Sequence, residues 1–231
     1  MIRVLQSSVQ IDEAEKLLQS QKLHMHHDRL KNWDLDLLHK IVAPLPRTIK
    51  AVDLGCSGLS ALNFLYALGF RDLHGIDLTI TGKEKRRQAA LRFKSFSLKL
   101  PFHLYAGDLT KTAFPDQSFE LATCISVIEH GVDILQFFIE MDRIIKPQGL
   151  LFITADYWPE KMKTADDERP CNLPYNIFSK DEILQLLDLA SKYGFSLYGA
   201  PDITEPMEKN ILGDLYRHTF ICMVFRKDRV V

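Results

Sequence analysis

Residues 51–60, AVDLGCSGLS, join the end of a short apolar segment to a turn that contains two glycines. A strand that runs into a glycine turn and then into a helix is typical of the first unit of a doubly wound α/β sheet. The apolar positions after the turn have helical spacing and end before Gly69, a typical residue at a helix C-terminus: Ala61, Leu62, Phe64, Leu65 and Leu68. The stretch therefore predicts a strand, a turn that a ligand can approach, and a helix.

The same alternation of strand and helix continues along most of the chain. Seven segments have the apolar character of strands: residues 50–54, 72–78, 102–109, 119–130, 150–157, 195–199 and 218–227. They predict a Rossmann-like α/β fold with a doubly wound, mostly parallel, seven-stranded sheet. No good helix lies between the last two strands, so we expect them to form an antiparallel hairpin at one edge.

The N-terminal part has a different character from the rest of the chain. Residues 12–42 are rich in helix formers, and Pro44 and Pro46 end this segment. We therefore divide the chain into an N-terminal helical segment or cap, residues 1–46, and a main domain, residues 47–231. Within the main domain, the polar connections 157–178 and 200–217 are predicted to be insertions that form the wall of a substrate pocket.

The charge balance gives no sign of a nucleic-acid partner, because 29 basic and 30 acidic side chains leave a formal net charge of −1. A basic stretch between Lys83 and Lys94 is interpreted as the solvated face of a helix. The first residues lack the apolar region of a secretory signal, and no apolar run approaches the roughly 20 residues of a membrane helix. The four cysteines form no CxxC pair and are typical of reduced thiols. We expect a cytoplasmic protein without a membrane partner, either a monomer or a homodimer.

Acidic residues recur where the predicted strands end. They are Asp53, Asp77, Asp108, Glu129 followed by His130, and Asp156 followed by Tyr157. In a doubly wound sheet the ligand lies at the carboxyl ends of the strands, so we expect these side chains to surround one ligand. A carboxylate suits a ribose in particular, because it accepts two hydrogen bonds and donates none.

The segment Asp53-Leu-Gly-Cys-Ser-Gly58 resembles the first motif of the class I S-adenosylmethionine-dependent methyltransferases, and of their small-molecule, type 11-like group. The resemblance continues through GDL at 107–109, FPDQSFE at 114–120 and SVIEH at 126–130. The glycine loop is one residue shorter than the usual motif. The resemblance implies that S-adenosylmethionine is the cofactor, that S-adenosylhomocysteine is the product, and that Asp77 and Asp108 bind the ribose and the adenine. The implied cofactor site consists of Asp53, Gly55, Ser57, Gly58, Asp77, Leu78, Asp108, Leu109 and Ser126.

Other interpretations of these residues remain open. Asp77 alone would also fit a nicotinamide cofactor, but the GxGxxG fingerprint is missing because residues 57 and 60 are serines. Asp77 and Asp108 could each be a helix N-cap, although acids at successive strand ends favour a common ligand. A nucleic-acid methyltransferase and a non-catalytic subunit that binds S-adenosylmethionine are the alternative functions.

The resemblance implies methyl transfer to a small-molecule acceptor. By analogy alone, a sugar or a hydroxylated precursor of a natural product or polysaccharide is the preferred acceptor. A hydroxyl acceptor benefits from a general base, and His130, Asp156 and Tyr157 are the candidates, although His130 could equally cap the next helix.

Two further motifs are given minor roles. His24, His26 and His27 lack a carboxylate at clear ligand spacing apart from Asp28, so we predict no metal site. This segment could instead fold over the cofactor, with His27, Arg29 or Trp33 lining the pocket. The tetrapeptide NLPY at 172–175 occurs in N6-adenine methyltransferases after the fourth strand. Here it follows the fifth strand, and we expect it to form a turn.

Overall fold

The architecture is an α/β sandwich built on one mixed sheet. A computed structural model describes residues 1–80, 102–164, 173–208 and 218–228. Its strands are β1 (Ile2–Val4), β2 (Lys50–Leu54), β3 (Asp72–Asp77), β4 (His103–Ala106), β5 (Phe119–Ile125), β6 (Ile145–Tyr157), β7 (Phe195–Leu197) and β8 (Thr219–Lys227). Its α-helices are α1 (Ser8–Ser20), α2 (Asn32–Val42), α3 (Ser60–Ala67), α4 (Ile134–Ile144) and α5 (Lys180–Lys192).

The strand order of the sheet is β1-β8-β6-β5-β2-β3-β4, with β7 also paired to β8. Five neighbouring strands are parallel to one another: β4, β3, β2, β5 and β6. Strand β8 is antiparallel to β1, β6 and β7. The mostly parallel sheet and the antiparallel β7–β8 pair confirm the predicted fold. Because β2 lies between β3 and β5, the direction of winding reverses beside β2, and ligands bind at such a point.

The N-terminal segment contributes a strand as well as helices. Ile2 and Val4 are buried, and β1 pairs with β8 through the register Ile2–Met223 and Val4–Ile221. In the described ranges the sheet therefore has eight strands instead of the predicted seven. No sequence pattern indicated β1, because three residues are too few to show a period of two.

The sheet separates two apolar layers. One layer packs α4 and α5 against alternate residues of the central strands, including Ile153 and Ile221. The other packs α1, α2 and α3 against the intervening residues, including Phe152 and Phe220. The predicted capping box at the start of α5 is present: Ser179 Oγ accepts from the Glu182 amide, and Glu182 accepts from the Ser179 amide.

Several predictions concern residues outside the described ranges. These include the basic stretch 83–94, Cys171, Asn172 and parts of both predicted insertions. Within the described ranges, none of the helices has the length and apolar character needed to cross a membrane.

Candidate active site

A cavity of about 380 Å³ opens at the carboxyl ends of β2, β3, β4 and β5. Its lining comes mainly from the ends of these strands and the loops that follow them, and includes Gly55, Ser57, Asp77, Leu78, Gly107, Asp108, Leu109, Ser126 and His130. Thr79, Thr110, Val127, Gly131, Val132, Asp133 and Leu173 complete its wall. The volume lies in the usual range for sites that bind cofactors and other small molecules.

Asp77 links the end of β3 to the glycine loop. Its Oδ2 accepts a hydrogen bond of 3.1 Å from the Ser57 amide, and its Oδ1 accepts from the amide and hydroxyl of Thr79 at 2.7 and 2.6 Å. These bonds fix the direction of a carboxylate that faces the cavity. Each carboxylate oxygen has further lone pairs, so Asp77 can still accept hydrogen bonds from a ligand.

Asp108 occupies the equivalent place after β4. Its Oδ1 accepts from the amide and the hydroxyl of Thr110 at 2.8 and 2.7 Å, so the local arrangement repeats that of Asp77 and Thr79. The apolar side chains of Leu78 and Leu109 also line the cavity, and Leu78 is 64% exposed. The two acids therefore flank a surface that can bind a flat, partly apolar group.

The glycine loop is shaped by residues with positive φ. Gly55 has φ of +78° and Gly58 has φ of +75°, in the left-handed region where glycine costs least. Leu59 follows with φ of +61°, although it has a β-carbon. The shortened loop thus turns into α3 through a strained leucine in place of a further glycine.

Gly55 also makes a close approach that no other residue could make. A β-carbon at this position would lie 2.4 Å from Val127 Cγ2. The amides of Gly55 and Cys56 both donate to the Ile76 carbonyl, at 2.8 and 3.2 Å. The loop is therefore held against the end of β3 on one side and against Val127 on the other.

Asp53 lies deeper, on β2, and is 4% exposed. Thr123 Oγ1 donates to Asp53 Oδ1 at 2.7 Å. Burial raises the pKa of Asp53 to about 7, and the Thr123 hydrogen bond opposes this rise. Asp53 lines a second cavity, of about 50 Å³, which shares Gly55 and Ser57 with the larger one.

Lys31 is a functional candidate that the sequence analysis did not identify. Its ammonium lies 2.5 Å from Ser126 Oγ, 3.5 Å from the centre of the Phe220 ring and 3.9 Å from Asp156 Oδ1. It also lines the smaller cavity, together with His26 and Leu35. The N-terminal segment that could fold over the cofactor therefore contributes His26 and Lys31 to the wall of the smaller cavity. Trp33 packs in the apolar layer, and Arg29 forms ion pairs with Asp12 and Glu15.

Three buried carboxyl groups surround the Lys31 ammonium: Asp34, Glu129 and Asp156. Burial raises the pKa of Asp34 to about 7 and holds that of Glu129 well above its usual value, with the Asp156 charge raising both further. Among the residues that the structure describes, Glu129 Oε2 and Asp156 Oδ1 are buried and have no hydrogen-bond partner. Such groups are costly unless a proton or a ligand compensates them.

Asp156 and His130 come together through Tyr175. The Tyr175 hydroxyl donates to Asp156 Oδ2 at 2.5 Å, and the Tyr175 ring stacks on His130 with centroids 5.8 Å apart. His218 Nε2 lies 3.7 Å from the same carboxylate oxygen. Burial lowers the pKa of His130, so its imidazole is neutral near pH 7. The expectation that residues 172–175 only form a turn overlooked this contact.

Of the predicted site residues Ser126 and Tyr157, the structure places the first in the site and the second in an apolar layer of the core. Ser126 directly follows β5 with φ of +52°, accepts a hydrogen bond from Lys31 and lines the larger cavity, so it lies within the site. Tyr157 is 1% exposed and packs in the layer with α4 and α5, on the other face of β6 from Asp156. Side chains alternate along a strand, so the side chain of the residue after Asp156 lies on the opposite face of the sheet.

Comparison with known proteins agrees with this geometry. The model of a methyltransferase domain family matches residues 52–153. The chain is 27% identical over 152 residues to the 2-methyl-6-phytyl-1,4-hydroquinone methyltransferase of Synechocystis sp.. That match covers 66% of this chain and 43% of the relative, so the chain spans less than half the length of the curated protein.

Solved structures share the fold at low sequence identity. The geranyl diphosphate C-methyltransferase from Streptomyces coelicolor A3(2), in complex with Mg²⁺, geranyl diphosphate and S-adenosyl-L-homocysteine, has a TM-score of 0.65 and 14% identity over 94% of this chain and 83% of its own. A phosphoethanolamine N-methyltransferase of Haemonchus contortus, in complex with S-adenosyl-L-methionine, has a TM-score of 0.66 and 17% identity over 96% and 58% of the two chains. The [4+2]-cyclase SpnF has a TM-score of 0.62 and 16% identity over 99% of both chains.

These similarities carry different weight. A fold shared with both methyltransferases and a cyclase does not identify the reaction by itself. The family match, by contrast, covers the glycine loop, Asp77, Asp108 and the strand end at Ser126. Residues 52–153 therefore match a methyltransferase domain family, and the fold is the one shared with the S-adenosylmethionine-dependent methyltransferases named above.

Proposed function

We propose that this chain transfers the methyl group of S-adenosylmethionine to a hydroxyl-bearing small molecule. The observation that carries the cofactor assignment is the set of carboxylates at the carboxyl ends of β2, β3 and β4: Asp77 and Asp108 line the larger cavity, and Asp53 lines the smaller one beside it. The buried polar groups around Asp156 support a polar acceptor. The relative from Synechocystis sp. is named for a hydroquinone, which also carries hydroxyl groups.

The residues present fit the three parts of this cofactor. Asp77 would accept from the ribose hydroxyls, and Asp108 from the adenine amino group beside Leu109. Asp53 would pair with the amino group of the methionine part, and the Lys31 ammonium with its carboxylate, because both line the smaller cavity. Gly55 keeps the backbone clear at the point where the two cavities meet.

The bound cofactor supplies an already activated methyl group on a sulfonium, so the protein's main task is alignment and exclusion of water. Ser126 fixes the position of Lys31, and the segment around His26 covers the smaller cavity. On the acceptor side, His130 lines the larger cavity, and its neutral imidazole can take a proton from a hydroxyl. Tyr175 and Lys31 orient Asp156, which can accept from a second hydroxyl of the acceptor.

The affinity for S-adenosylhomocysteine is expected to rise about tenfold between pH 6 and pH 8, because Asp53 must lose its proton to pair with an ammonium. With a pKa of about 7, the charged fraction of Asp53 rises roughly tenfold over this range. Titration calorimetry in buffers of different ionisation enthalpy would also detect release of a proton on binding below pH 7. Asp53→Asn should bind more weakly and lose this pH dependence. A wild-type affinity that does not change with pH would remove Asp53 from contact with the ammonium.

His130→Ala is expected to lower the rate of methyl transfer about 100-fold or more, the usual contribution of a general base. The dissociation constant of S-adenosylhomocysteine should change less than about threefold, since His130 lies on the acceptor side of the cavity. Val132→Ala, in the same cavity wall, serves as the control for a purely steric effect. A rate that stays within twofold of wild type would leave Asp156 as the remaining candidate base.

The proposed function is tested in two stages. Calorimetry with S-adenosylhomocysteine, and with NAD as the control, should give micromolar binding of the first only. Radiolabelled S-adenosylmethionine is then incubated with sugars, phenols with and without prenyl chains, amines and single-stranded DNA. Transfer to a hydroxylated compound supports the proposal, whereas transfer to DNA supports a nucleic-acid methyltransferase. Cofactor binding without transfer to any class would favour a non-catalytic subunit.

A further inference from the structure

A second polar cluster lies on β3 and β4, away from the cavity. Its members are Asp72, His74 and His103. His74 and His103 are direct partners in the parallel register of these strands, and Asp72 precedes His74 by two residues. Residues two apart on a strand share a face, and paired residues on neighbouring strands lie within side-chain reach. The three side chains therefore converge on one face near the edge of the sheet.

The potential ligand atoms of the cluster lie within 4.8 Å of one another. His74 Nε2 is 2.9 Å from Asp72 Oδ1, and the two imidazole rings stack with centroids 4.7 Å apart. Tetrahedral zinc, with bonds of about 2.0–2.1 Å, places its ligand atoms roughly 3.3 Å apart. A shift of about 1 Å in the side chains would thus create a three-ligand site.

The surroundings favour such a shift at two of the three residues. His74 is 7% exposed, and its ring packs edge-on against Phe119 at 5.4 Å and Phe114 at 6.2 Å, so it is held firmly. Asp72 and His103 are exposed and can adjust their side-chain rotamers. The Tyr105 hydroxyl lies 3.4 Å from His74 Nδ1 and can accept a hydrogen bond from it, which leaves Nε2 as the ligand atom.

We propose that Asp72, His74 and His103 bind one divalent transition-metal ion of the zinc type, with water completing the coordination. Two imidazoles and one carboxylate are a ligand set that suits zinc and its neighbours better than magnesium. This site differs from the sequence-based expectation of no metal site. That expectation concerned the histidines at 24–27, whereas His74 and His103 are too far apart in sequence to form a recognisable motif.

The ion would fasten β4 to β3. Downstream along these strands, Asp77 pairs with Ala106, and the Gly107 amide donates to the Asp77 carbonyl at 3.2 Å, directly before Asp108. The proposed site is thus at the opposite end of the two strands that present Asp77 and Asp108. Zinc should stabilise the folded chain without touching the proposed cofactor site.

The test uses the full-length protein after treatment with a chelator and removal of the chelator. Zinc is titrated in competition with a chromophoric chelator, and the melting temperature is measured with and without zinc. We expect one zinc ion with a micromolar or lower dissociation constant, a rise in melting temperature, and no comparable effect of magnesium. His103→Ala and Asp72→Asn, both at exposed positions, should each weaken zinc binding at least tenfold and remove the rise in melting temperature.

The matched control is the double variant His26→Ala/His27→Ala, which removes the other histidine pair with stacked rings. It should bind zinc as the wild type does. The proposal is overturned if the wild type binds no zinc at 100 micromolar, or if zinc binding is unchanged in His103→Ala. Loss of zinc binding in the double variant alone would instead assign the ion to residues 24–27. None of these outcomes depends on methyl transfer, so the two proposals can fail separately.

Discussion

Asp77→Ala is expected to weaken the binding of S-adenosylhomocysteine at least about 100-fold, with the fold retained. A carboxylate that accepts from both ribose hydroxyls makes two charge-assisted hydrogen bonds, each worth about 1.5–3 kcal/mol. The loss of both corresponds to about 3–6 kcal/mol, and about 1.4 kcal/mol is a factor of ten. Titration calorimetry at a fixed pH measures the effect directly.

Asp77 also orders the loop, and this second role must be separated from contact with the ligand. The variant loses the hydrogen bonds from the Ser57 amide and from Thr79 as well as any bond to the cofactor. Thr79→Val is the matched control, because it removes only the bond from the hydroxyl and leaves the carboxylate in place. We expect Thr79→Val to weaken binding less than about fivefold. Equal losses in the two variants would assign Asp77 a structural role, and an unchanged affinity in Asp77→Ala would contradict the ribose assignment.

The cofactor side of the site was predictable because parallel strands bring their carboxyl ends together. Gly55, Ser57, Asp77, Leu78, Asp108, Leu109 and Ser126 all line one cavity, as expected from their places after successive strands. Asp53 lines the adjoining one. Each of these side chains lies within a few residues of a strand end, so the position of the strand in the sheet also determines the position of the side chain.

The acceptor side was less predictable because its residues come from distant parts of the chain. Lys31 and Ser126 are 95 positions apart, and their contact depends on how α2 packs on the sheet. Tyr175 reaches Asp156 only because Phe178 pairs with Tyr157 beside β6. Tyr157 was chosen for its closeness to Asp156 in sequence, but alternation along the strand directs it to the opposite face.

A substitution in the glycine loop is expected to have the second large effect, a loss of stability. Gly55→Ala is expected to lower the free energy of unfolding by about 2–5 kcal/mol, from two causes. The positive φ of +78° costs a residue with a β-carbon about 1–2 kcal/mol. The approach of 2.4 Å to Val127 Cγ2 forces the loop or the valine to move, at about 1–3 kcal/mol. Chemical denaturation measures the sum.

The same substitution should also prevent cofactor binding, because the loop is tied to the end of β3. A shift of Gly55 away from Val127 would break the bond from its amide to the Ile76 carbonyl, next to the Asp77 carboxylate. We expect the affinity for S-adenosylhomocysteine to fall beyond the range of calorimetry. Gly58→Ala is the matched control for backbone conformation, because its φ is +75° but no atom of the described residues lies within 4 Å of an added β-carbon. Its loss of stability should be only about 1–2 kcal/mol.

The double variant Gly55→Ala/Val127→Ala separates the steric cause from the conformational one. Removal of the two Val127 γ-carbons takes away the two closest contacts, at 2.4 and 2.8 Å, and leaves only Val127 Cβ at 3.1 Å from the new β-carbon. If the steric overlap with Val127 is the main cause, the double variant should be more stable than Gly55→Ala, even though Val127→Ala alone is destabilising. It should also bind S-adenosylhomocysteine again. If the two substitutions only add their losses, the conformation at Gly55 determines the effect. The shortened loop would then depend on glycine at residue 55 for its backbone conformation, with space beside Val127 a secondary requirement.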